Sequence, residues 1–127
     1  MRYDAYCHWM AWEVVVHVEV REWFSHLSRS EQERVSAAIE ELREKGPLLG
    51  RPFADHVKGS VVKNLKELRP MGTTIRCLFA FDKFRRALIL VAGDKKGRWK
   101  DWYASNIKLA ETRFLEHAES RRDFFDE

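Results

Sequence analysis

The spacing of hydrophobic positions in the first third of the chain changes at about residue 18. Val14, Val16 and Val18 share one face of residues 12–18, with Glu13 and His17 on the other, which predicts a strand with one buried face. Apolar residues then recur at i, i+3, i+4 and i+7, which predicts a short helix: Val20, Trp23, Phe24 and Leu27. Ser30 and Glu33 fit a capping box, so we expect a second helix to begin there and to end at Gly46-Pro47.

Three further strands are predicted in the middle of the chain. After a long connection over residues 47–60, the segments 61–69 and 73–82 are joined by a turn at residues 70–72, which contains proline and glycine. Residues 87–92 are apolar throughout, which is typical of a central strand covered on both faces.

The last part of the chain predicts a basic loop over residues 93–100 and a helix that begins near Ser105 or Asn106. The element order is therefore β-α-α-β-β-β-α. It predicts an α+β fold: a small, mostly antiparallel four-stranded sheet with two N-terminal helices and a C-terminal helix. We expect residues 12–120 to form this domain, with an N-terminal extension over residues 1–11 and a charged tail over residues 121–127.

The formal net charge of +3 conceals an uneven distribution of charge along the chain. Residues 51–108 hold 14 Lys and Arg against 5 Asp and Glu, a net charge of +9. Residues 1–50 (6 against 9) and residues 109–127 (3 against 6) are each at −3. A cationic block of this kind attracts polyanions, although a solvated surface without a partner is an equally open interpretation.

Cysteine usage and the absence of long apolar runs predict a cytoplasmic protein with no membrane partner. Cys7 and Cys77 form no metal-binding or disulfide pattern, which favours reduced thiols. The first twelve residues lack the basic end and the apolar run of a signal peptide. The longest apolar run, residues 87–93, is too short to cross a bilayer.

The candidate chemistry begins with cations on the two strands of the predicted hairpin. Arg69 and Arg76 flank the turn between these strands, and Lys63 and Lys66 precede it. Like charges side by side destabilise a sheet, so an anion held between the two arginines would explain them. The alternative is that they diverge, or that they pair with acidic neighbours such as Glu67.

The loop that follows the apolar strand interleaves cations with aromatic residues. Its cations are Lys95, Lys96, Arg98 and Lys100, and its aromatic residues are Trp99, Trp102 and Tyr103. Cations neutralise phosphates and aromatic faces stack on unpaired bases, so this mixture favours single-stranded RNA. For the tryptophans, packing in the core or against a protein partner is the competing interpretation.

Other catalytic classes find little support in the sequence. No phosphate-binding glycine loop or nucleophile elbow is present, the histidines show no metal-ligand spacing, and carboxylates in the basic block are few. Of the histidines, only His56 lies just before the basic strands. We therefore expect no metal and no cofactor, and a nuclease of this kind would use the 2′-hydroxyl of RNA as nucleophile. Arginine would stabilise the phosphate charge, a crowded lysine would act as base, and Tyr103 would shuttle a proton or stack.

Four segments, in their order and spacing, resemble the phage-derived HigB-like toxins of the RelE/ParE superfamily. They are residues 64–69 (NLKELR), 75–82 (IRCLFAFD), 89–96 (ILVAGDKK) and 106–111 (NIKLAE). The resemblance covers roughly residues 12–118. It departs from the family where a proline frequently precedes the last helix, because Asn106 and Ile107 stand there in this chain.

The resemblance implies a microbial ribonuclease fold and cleavage of messenger RNA in the ribosomal A site. It also implies a helix-turn-helix antitoxin of the HigA type, which is encoded beside the toxin and represses the operon. The family's basic site residues fall on Arg69, Arg76, Lys95 and Lys96, and less firmly on Lys66 together with Tyr103. Two alternatives stay open on sequence alone: a ParE-like inhibitor of DNA gyrase, and a nucleic-acid-binding module without catalysis.

Overall fold

The computed structural model describes residues 11–120 and 125–126. The first elements are β1 (Glu13–His17), α1 (Val18–Ser25), α2 (Arg29–Lys45) and a 3₁₀ turn (Gly46–Leu48). The remaining elements are β2 (Ala54–His56), β3 (Lys66–Leu68), β4 (Ile75–Phe81), β5 (Arg86–Asp94), α3 (Trp99–Ser120) and β6 (Phe125–Asp126). The predicted extension over residues 1–11 lies outside the described residues except for residue 11. Of the predicted tail, only β6 is described.

The six strands form one sheet in the order β2-β3-β4-β5-β1-β6, which confirms the predicted α+β class. All neighbouring pairs are antiparallel except β1 and β5, which run parallel. The sheet has two more strands than the four predicted. These are β2 and β6 at the two edges, with three and two residues. Segments this short carry no periodic signal in the sequence.

The prediction of a single buried face for the first strand is wrong, because β1 lies inside the sheet between β5 and β6. Val14 and Val15 are both buried, so this strand is covered on both faces. The strand ends one residue earlier than predicted, and Val18 begins α1 with a half-exposed side chain. His17 caps that helix, since its Nδ1 accepts a hydrogen bond from the backbone N–H of Glu19 at 3.1 Å.

The second helix begins two residues before the predicted capping box. Ser28 is the cap: its hydroxyl accepts from the Glu31 N–H at 3.1 Å, and the Glu31 carboxylate accepts from the Ser28 N–H at 3.1 Å. The assignment to Ser30 and Glu33 is therefore wrong by two residues, because both pairs satisfy the same four-residue pattern. The end of the helix is as predicted, at Gly46.

Helices cover both faces of the sheet, so the molecule has two hydrophobic layers. Under α1 and α2, the buried residues Val35, Ala38 and Leu42 pack against alternate positions of the strands, such as Ile89. Under α3, Trp102 and Ala110 pack against the intervening positions, which are Val15, Leu78, Ala80, Leu88, Leu90 and Val91. The central strand β5 is therefore buried on both faces, as its apolar sequence predicts.

A bulge in the pairing of β4 with β5 shifts the alternation of β5 by one residue. Leu78 pairs with Val91 and Phe79 with Ile89, so Leu90 is the additional residue, and Leu90 and Val91 both face α3. The buried guanidinium of Arg113 donates a hydrogen bond to the Leu90 carbonyl at 2.7 Å. A side chain of α3 thereby satisfies a carbonyl at the irregularity.

Two predicted boundaries near the site are wrong. The strand predicted over residues 61–69 shortens to β3, because Val62 and Leu65 are buried under α3 in a loop. Glu111 of α3 holds this loop by accepting hydrogen bonds from the Ser60 hydroxyl and the Val61 N–H, both at 2.9 Å. The last helix begins at Trp99, six or seven residues before the predicted start at Ser105 or Asn106. Within residues 11–120 and 125–126, no helix is both long and apolar enough to cross a membrane.

Candidate active site

A cleft of about 400 Å³ opens beside β3, on the face of the sheet that α3 covers. One wall is a stripe of α3 at helical spacing, formed by Trp99, Tyr103 and Ile107. The opposite side is formed by the segment 56–58, by Glu67 and Arg69, and by Lys95. This cleft joins the end of β3 to the first turns of α3, the two regions whose cations the sequence singles out.

A larger groove, of about 610 Å³, lies on the outer side of α2. Its cation Arg29 faces Glu33 in an exposed ion pair of 3.7 Å, and the guanidinium is 92% exposed. An ion pair in open solvent has little chemical reactivity and contributes little energy. The smaller cleft beside β3 is therefore the candidate site.

Glu67 is the buried carboxylate around which this site is organised. Its side chain is only 5% exposed, and its Oε2 accepts hydrogen bonds from Arg69 Nε at 2.8 Å and Nη2 at 2.5 Å. Its Oε1 accepts a hydrogen bond from the Tyr103 hydroxyl. One carboxylate thus connects β3 to α3 across 36 residues of sequence, and each of its oxygens serves a different partner.

Arg69 is held by two carboxylates rather than standing alone beside another cation. Besides the pair with Glu67, its Nη2 lies 3.5 Å from Asp55, a residue of β2. Burial by itself lowers the pKa of Arg69, but the hydrogen bond with Glu67 and the two negative charges outweigh that effect and raise it. The alternative interpretation of pairing with Glu67 is therefore correct for Arg69. Its Nη1 is the nitrogen that takes no part in these contacts.

Arg76 lies beside Tyr103 and is held mainly by backbone carbonyls. Its Nη1 donates to the carbonyl of Ile75 at 2.8 Å and, weakly, to that of Thr73 at 3.4 Å. Its Nε is buried and has no hydrogen-bond partner among the residues the structure describes. An unsatisfied buried donor costs about 1–3 kcal/mol, and more on a charged group, and a bound ligand or ion is one explanation for such a donor.

The protonation state of Tyr103 follows from its surroundings. Burial and the hydrogen bond to Glu67 raise the pKa of Tyr103 to about 12, while the nearby charge of Arg76 acts in the opposite direction. The hydroxyl therefore stays protonated at neutral pH. It gives its proton to the Glu67 hydrogen bond, so its oxygen acts as an acceptor for its other partners, and Arg76 is one of these.

The rim of the cleft carries groups of the kind that hold an RNA strand. Lys95 lines the cleft and is half-buried, and the indole of Trp99 is 56% exposed. His56, the histidine that the sequence places nearest the basic strands, also lines the cleft and is exposed. Cations, an exposed aromatic face and an imidazole thus meet at one opening.

Two of the predicted site residues are not available to a ligand in the cleft. Lys66 follows the opposite face of the sheet, where its Nζ donates to the Pro47 carbonyl at 3.1 Å and lies 5.9 Å from the centre of the Phe81 ring. Trp102 is only 2% exposed and packs in the core under α3. The predictions of a catalytic role for Lys66 and of base stacking by Trp102 are wrong for this arrangement of side chains.

Four other predicted site cations are exposed and lie outside the residues that line the cleft: Lys96, predicted as catalytic, and the predicted RNA-binding residues Lys63, Arg98 and Lys100. Lys63 lies in the loop before β3, Lys96 and Arg98 lie in the turn after β5, and Lys100 lies in the first turn of α3. Lys100 Nζ lies 6.0 Å from the centre of the Trp99 ring. Their exposure suits contacts to a phosphate backbone and leaves their predicted roles open.

Glu67 and Asp55 were missed as members of the site in the sequence analysis. Glu67 was considered there only as an acidic neighbour that could pair with the arginines in place of a bound anion. The available signal was a single acidic residue between buried leucines in a strand otherwise rich in cations. A carboxylate at such a position is buried only when it is paired. No group of three or more His, Cys, Asp or Glu side chains in the described part of the chain is arranged to hold a metal ion.

Comparison with solved structures defines the class of fold. The chain superimposes on a chain of the crystal structure of the archaeal RelE–RelB complex from Pyrococcus horikoshii OT3 with a TM-score of 0.57. The match covers 70% of this chain and 99% of the other, at 21% sequence identity. The sheet with its flanking helices is therefore a fold of the RelE type.

Sequence comparison gives the family. Residues 22–115 match the family described as "Phage derived protein Gp49-like (DUF891)". "Putative toxin HigB3" of Mycobacterium tuberculosis is 49% identical over 100 residues, which cover 79% of this chain and 88% of that protein. "Putative toxin HigB2" of the same organism is 46% identical over 114 residues, which cover 87% of this chain and 56% of that protein. The chain belongs to the Gp49-like family and, as the resemblance implies, to the HigB-like branch of the RelE superfamily.

Proposed function

We propose that this chain is the toxin of a type II toxin–antitoxin pair, and that it cuts messenger RNA on the ribosome without a metal ion. The observation that carries the proposal is that Arg69 and Tyr103 line one open cleft, while Arg76, which is outside the lining, lies beside the Tyr103 hydroxyl. The two mycobacterial relatives, which are named as toxins, support the first part of the proposal. The second part is supported by the chemistry that these groups allow.

The reaction begins when the RNA 2′-oxygen attacks the adjacent phosphorus, which increases the negative charge on the phosphate oxygens. Arg76 and the free Nη1 of Arg69 are suited to stabilise that charge, because a guanidinium remains charged and binds oxygens in a fixed geometry. Lys95, at the edge of the cleft, is the ammonium group that gives a proton to the departing 5′-oxygen. The products are a 2′,3′-cyclic phosphate and a 5′-hydroxyl.

Binding of the strand is assigned to the exposed rim. Trp99 stacks on an unpaired base, while Lys63, Lys96, Arg98 and Lys100 contact phosphates on either side. The cleft is open and small, so it grips little of a flexible strand by itself. We therefore expect the ribosome to supply the remaining orientation of the messenger RNA, and free RNA to be cut poorly.

The partner expected from this function is an antitoxin of the HigA-like, helix-turn-helix type. The RelE–RelB structure is that of a complex, which supports a protein partner for a fold of this kind. Copurification of this chain with the product of the neighbouring gene tests that partner. A chain that is purified alone, although both genes are expressed together, would contradict it.

The cleavage is tested by inducing the chain in a bacterial host and mapping transcript ends. We expect new ends within codons and arrest of growth, both lost in Arg76→Ala. Arg29→Ala is the charge-matched control, since Arg29 lies on α2, on the opposite face of the sheet. DNA damage with intact transcripts would instead identify an inhibitor of gyrase, and binding to ribosomes without new ends would identify a non-catalytic module.

A further inference from the structure

We propose that Glu67 receives the proton of the RNA 2′-hydroxyl through Tyr103, so that this buried carboxylate is a positioning residue of the cleavage reaction. The inference rests on the proposed ribonuclease function and adds the missing proton acceptor to it. The acceptor must take a proton as the 2′-oxygen attacks phosphorus. Arginine and lysine in their charged forms have no lone pair to receive one.

The hydrogen bonds of Glu67 separate two tasks between its two oxygens. Oε2 takes both hydrogen bonds from Arg69, while Oε1 takes the one from the Tyr103 hydroxyl. Because the phenol proton is directed to Glu67, the lone pairs of Tyr103 Oη face away from that carboxylate, and Arg76 occupies one side of this oxygen. A 2′-hydroxyl donating to Oη from the cleft would complete a line of two hydrogen bonds that ends on Glu67.

The proton transfers along this line balance the reaction. The 2′-hydroxyl gives its proton to Tyr103 Oη, and the phenol proton passes to Glu67 Oε1. The O2′–P bond forms and the P–O5′ bond breaks. The 5′-oxygen takes a proton from the Lys95 ammonium. Glu67 ends as a carboxylic acid, Lys95 as a neutral amine and Tyr103 unchanged, and exchange with water restores both groups for the next turnover.

A carboxylate that only fixed an arginine would not need this arrangement. The chain contains such a pair elsewhere: Glu19 Oε1 accepts from Arg113 Nη2 at 2.5 Å, on a side chain that is 72% exposed. Glu67, in contrast, is buried, and one of its two oxygens accepts a hydrogen bond from a tyrosine that lines the cleft. Burial of a carboxylate is costly, which favours a use beyond anchoring Arg69.

The test is the pH dependence of cleavage, measured in single turnovers on ribosomes loaded with messenger RNA. The variants are Tyr103→Phe, Glu67→Gln and the double variant, with Glu19→Gln as the matched change at the other carboxylate–guanidinium pair. We expect each single variant to be slower at pH 7 by about 100-fold, and the double variant to be no slower than the slower single variant. Glu19→Gln should keep the wild-type rate.

The shape of the pH profile separates proton transfer from structural support. Between pH 6 and pH 9 the wild-type rate should change little, because the Tyr103–Glu67 relay takes the proton without help from solvent hydroxide. The two variants should become about tenfold faster per pH unit, since hydroxide from solvent replaces the missing acceptor. A purely structural defect would lower the rate equally at every pH. Tyr103→Phe keeps the Arg69–Glu67 pair, so it provides the test even where Glu67→Gln is unstable.

A substrate with sulfur in place of the 5′-oxygen provides the second readout. Sulfur leaves without a proton, so this substrate should restore the rate of Lys95→Ala but not that of Tyr103→Phe or Glu67→Gln. Wild-type rates in Tyr103→Phe, or parallel pH profiles in all variants, would overturn the inference while leaving cleavage itself established. Absence of cleavage by the wild-type chain would instead overturn the proposed function.

Discussion

Trp99 and Trp102 stand three residues apart on α3 and provide a direct test of how the structure divides packing from binding. The side chain of Trp102 is 2% exposed, and its ring meets that of Tyr103 edge-on at 5.1 Å between centroids. A methyl group at Gly93 would approach its Nε1 to 2.7 Å, which shows how tightly the indole is enclosed. Replacing a buried tryptophan by alanine costs about 3–5 kcal/mol. That is a large part of the roughly 5–15 kcal/mol that stabilises a domain.

The measurement is urea denaturation of both alanine variants, followed by circular dichroism because each variant loses a fluorophore. Trp102→Ala should lose about 3–5 kcal/mol in the free energy of unfolding. Trp99→Ala, whose indole is 56% exposed, should stay within about 0.5 kcal/mol of the wild type. On ribosomes, Trp99→Ala should instead weaken binding by about 1–3 kcal/mol, the value of one stacked base. Equal stabilities of the two variants would refute the division.

Three further predictions concern stability and reactivity. Gly72 has φ 74 and Gly59 has φ 85, so alanine at either position should cost about 1–2 kcal/mol in denaturation. Gly72→Ala should cost more, because its methyl would displace the Arg34 guanidinium from its 2.7 Å hydrogen bond to the Met71 carbonyl. Burial, and then the charge of Arg113, lower the pKa of His17 below its usual 6.5. The unfolded chain therefore takes up the proton first as pH falls, and stability should decrease below pH 6.5. His17→Asn, which keeps a capping acceptor, should remove that slope. Burial raises the pKa of the Cys77 thiol to about 12, so mass spectrometry after alkylation at pH 8 should find Cys77 modified only in urea. Equal modification of the folded protein would contradict its burial.

The central strand and the end of the second helix were predictable because local sequence determines them. A wholly apolar run can only be a segment covered on both sides, and Gly46-Pro47 cannot continue a helix. The start of that helix was ambiguous, since Ser28 and Ser30 are both followed three residues later by glutamate. Packing of the buried Val35 and Leu42 against the sheet selects the register, and that information is not local.

The start of α3 was missed because its aromatic residues were interpreted as ligand contacts. Trp102 and Ala110 face the core, while Trp99, Tyr103 and Ile107 follow one another at four-residue spacing along the cleft. If the helix is taken to begin at residue 99, the segment shows both a core-facing stripe and a cleft-facing stripe at helical spacing. Because residues 93–100 are so basic, they were assigned to a loop, and the predicted start of the helix was placed too late in the chain.

Arg69, Arg76 and Tyr103 could be selected from sequence because their chemistry is distinctive. Glu67 could not be assigned, because its role depends on a tyrosine 36 residues away that only the packing of α3 brings near. The face of the sheet on which Lys66 lies could not be predicted from the sequence either. A shift of one residue in a strand moves a side chain to the other face, and the predicted strand over residues 61–69 was too long to fix the register.

The wide separation of the cleft residues along the chain has a consequence for the order in which the protein is made. Translation makes Glu67 and Arg69 first, Lys95 some 26 residues later, and Tyr103 after that. A nascent chain that ends before α3 contains the arginines but lacks the helix that forms one wall of the cleft. The cleft is therefore not complete until the first turns of α3 have been synthesised and have packed on the sheet.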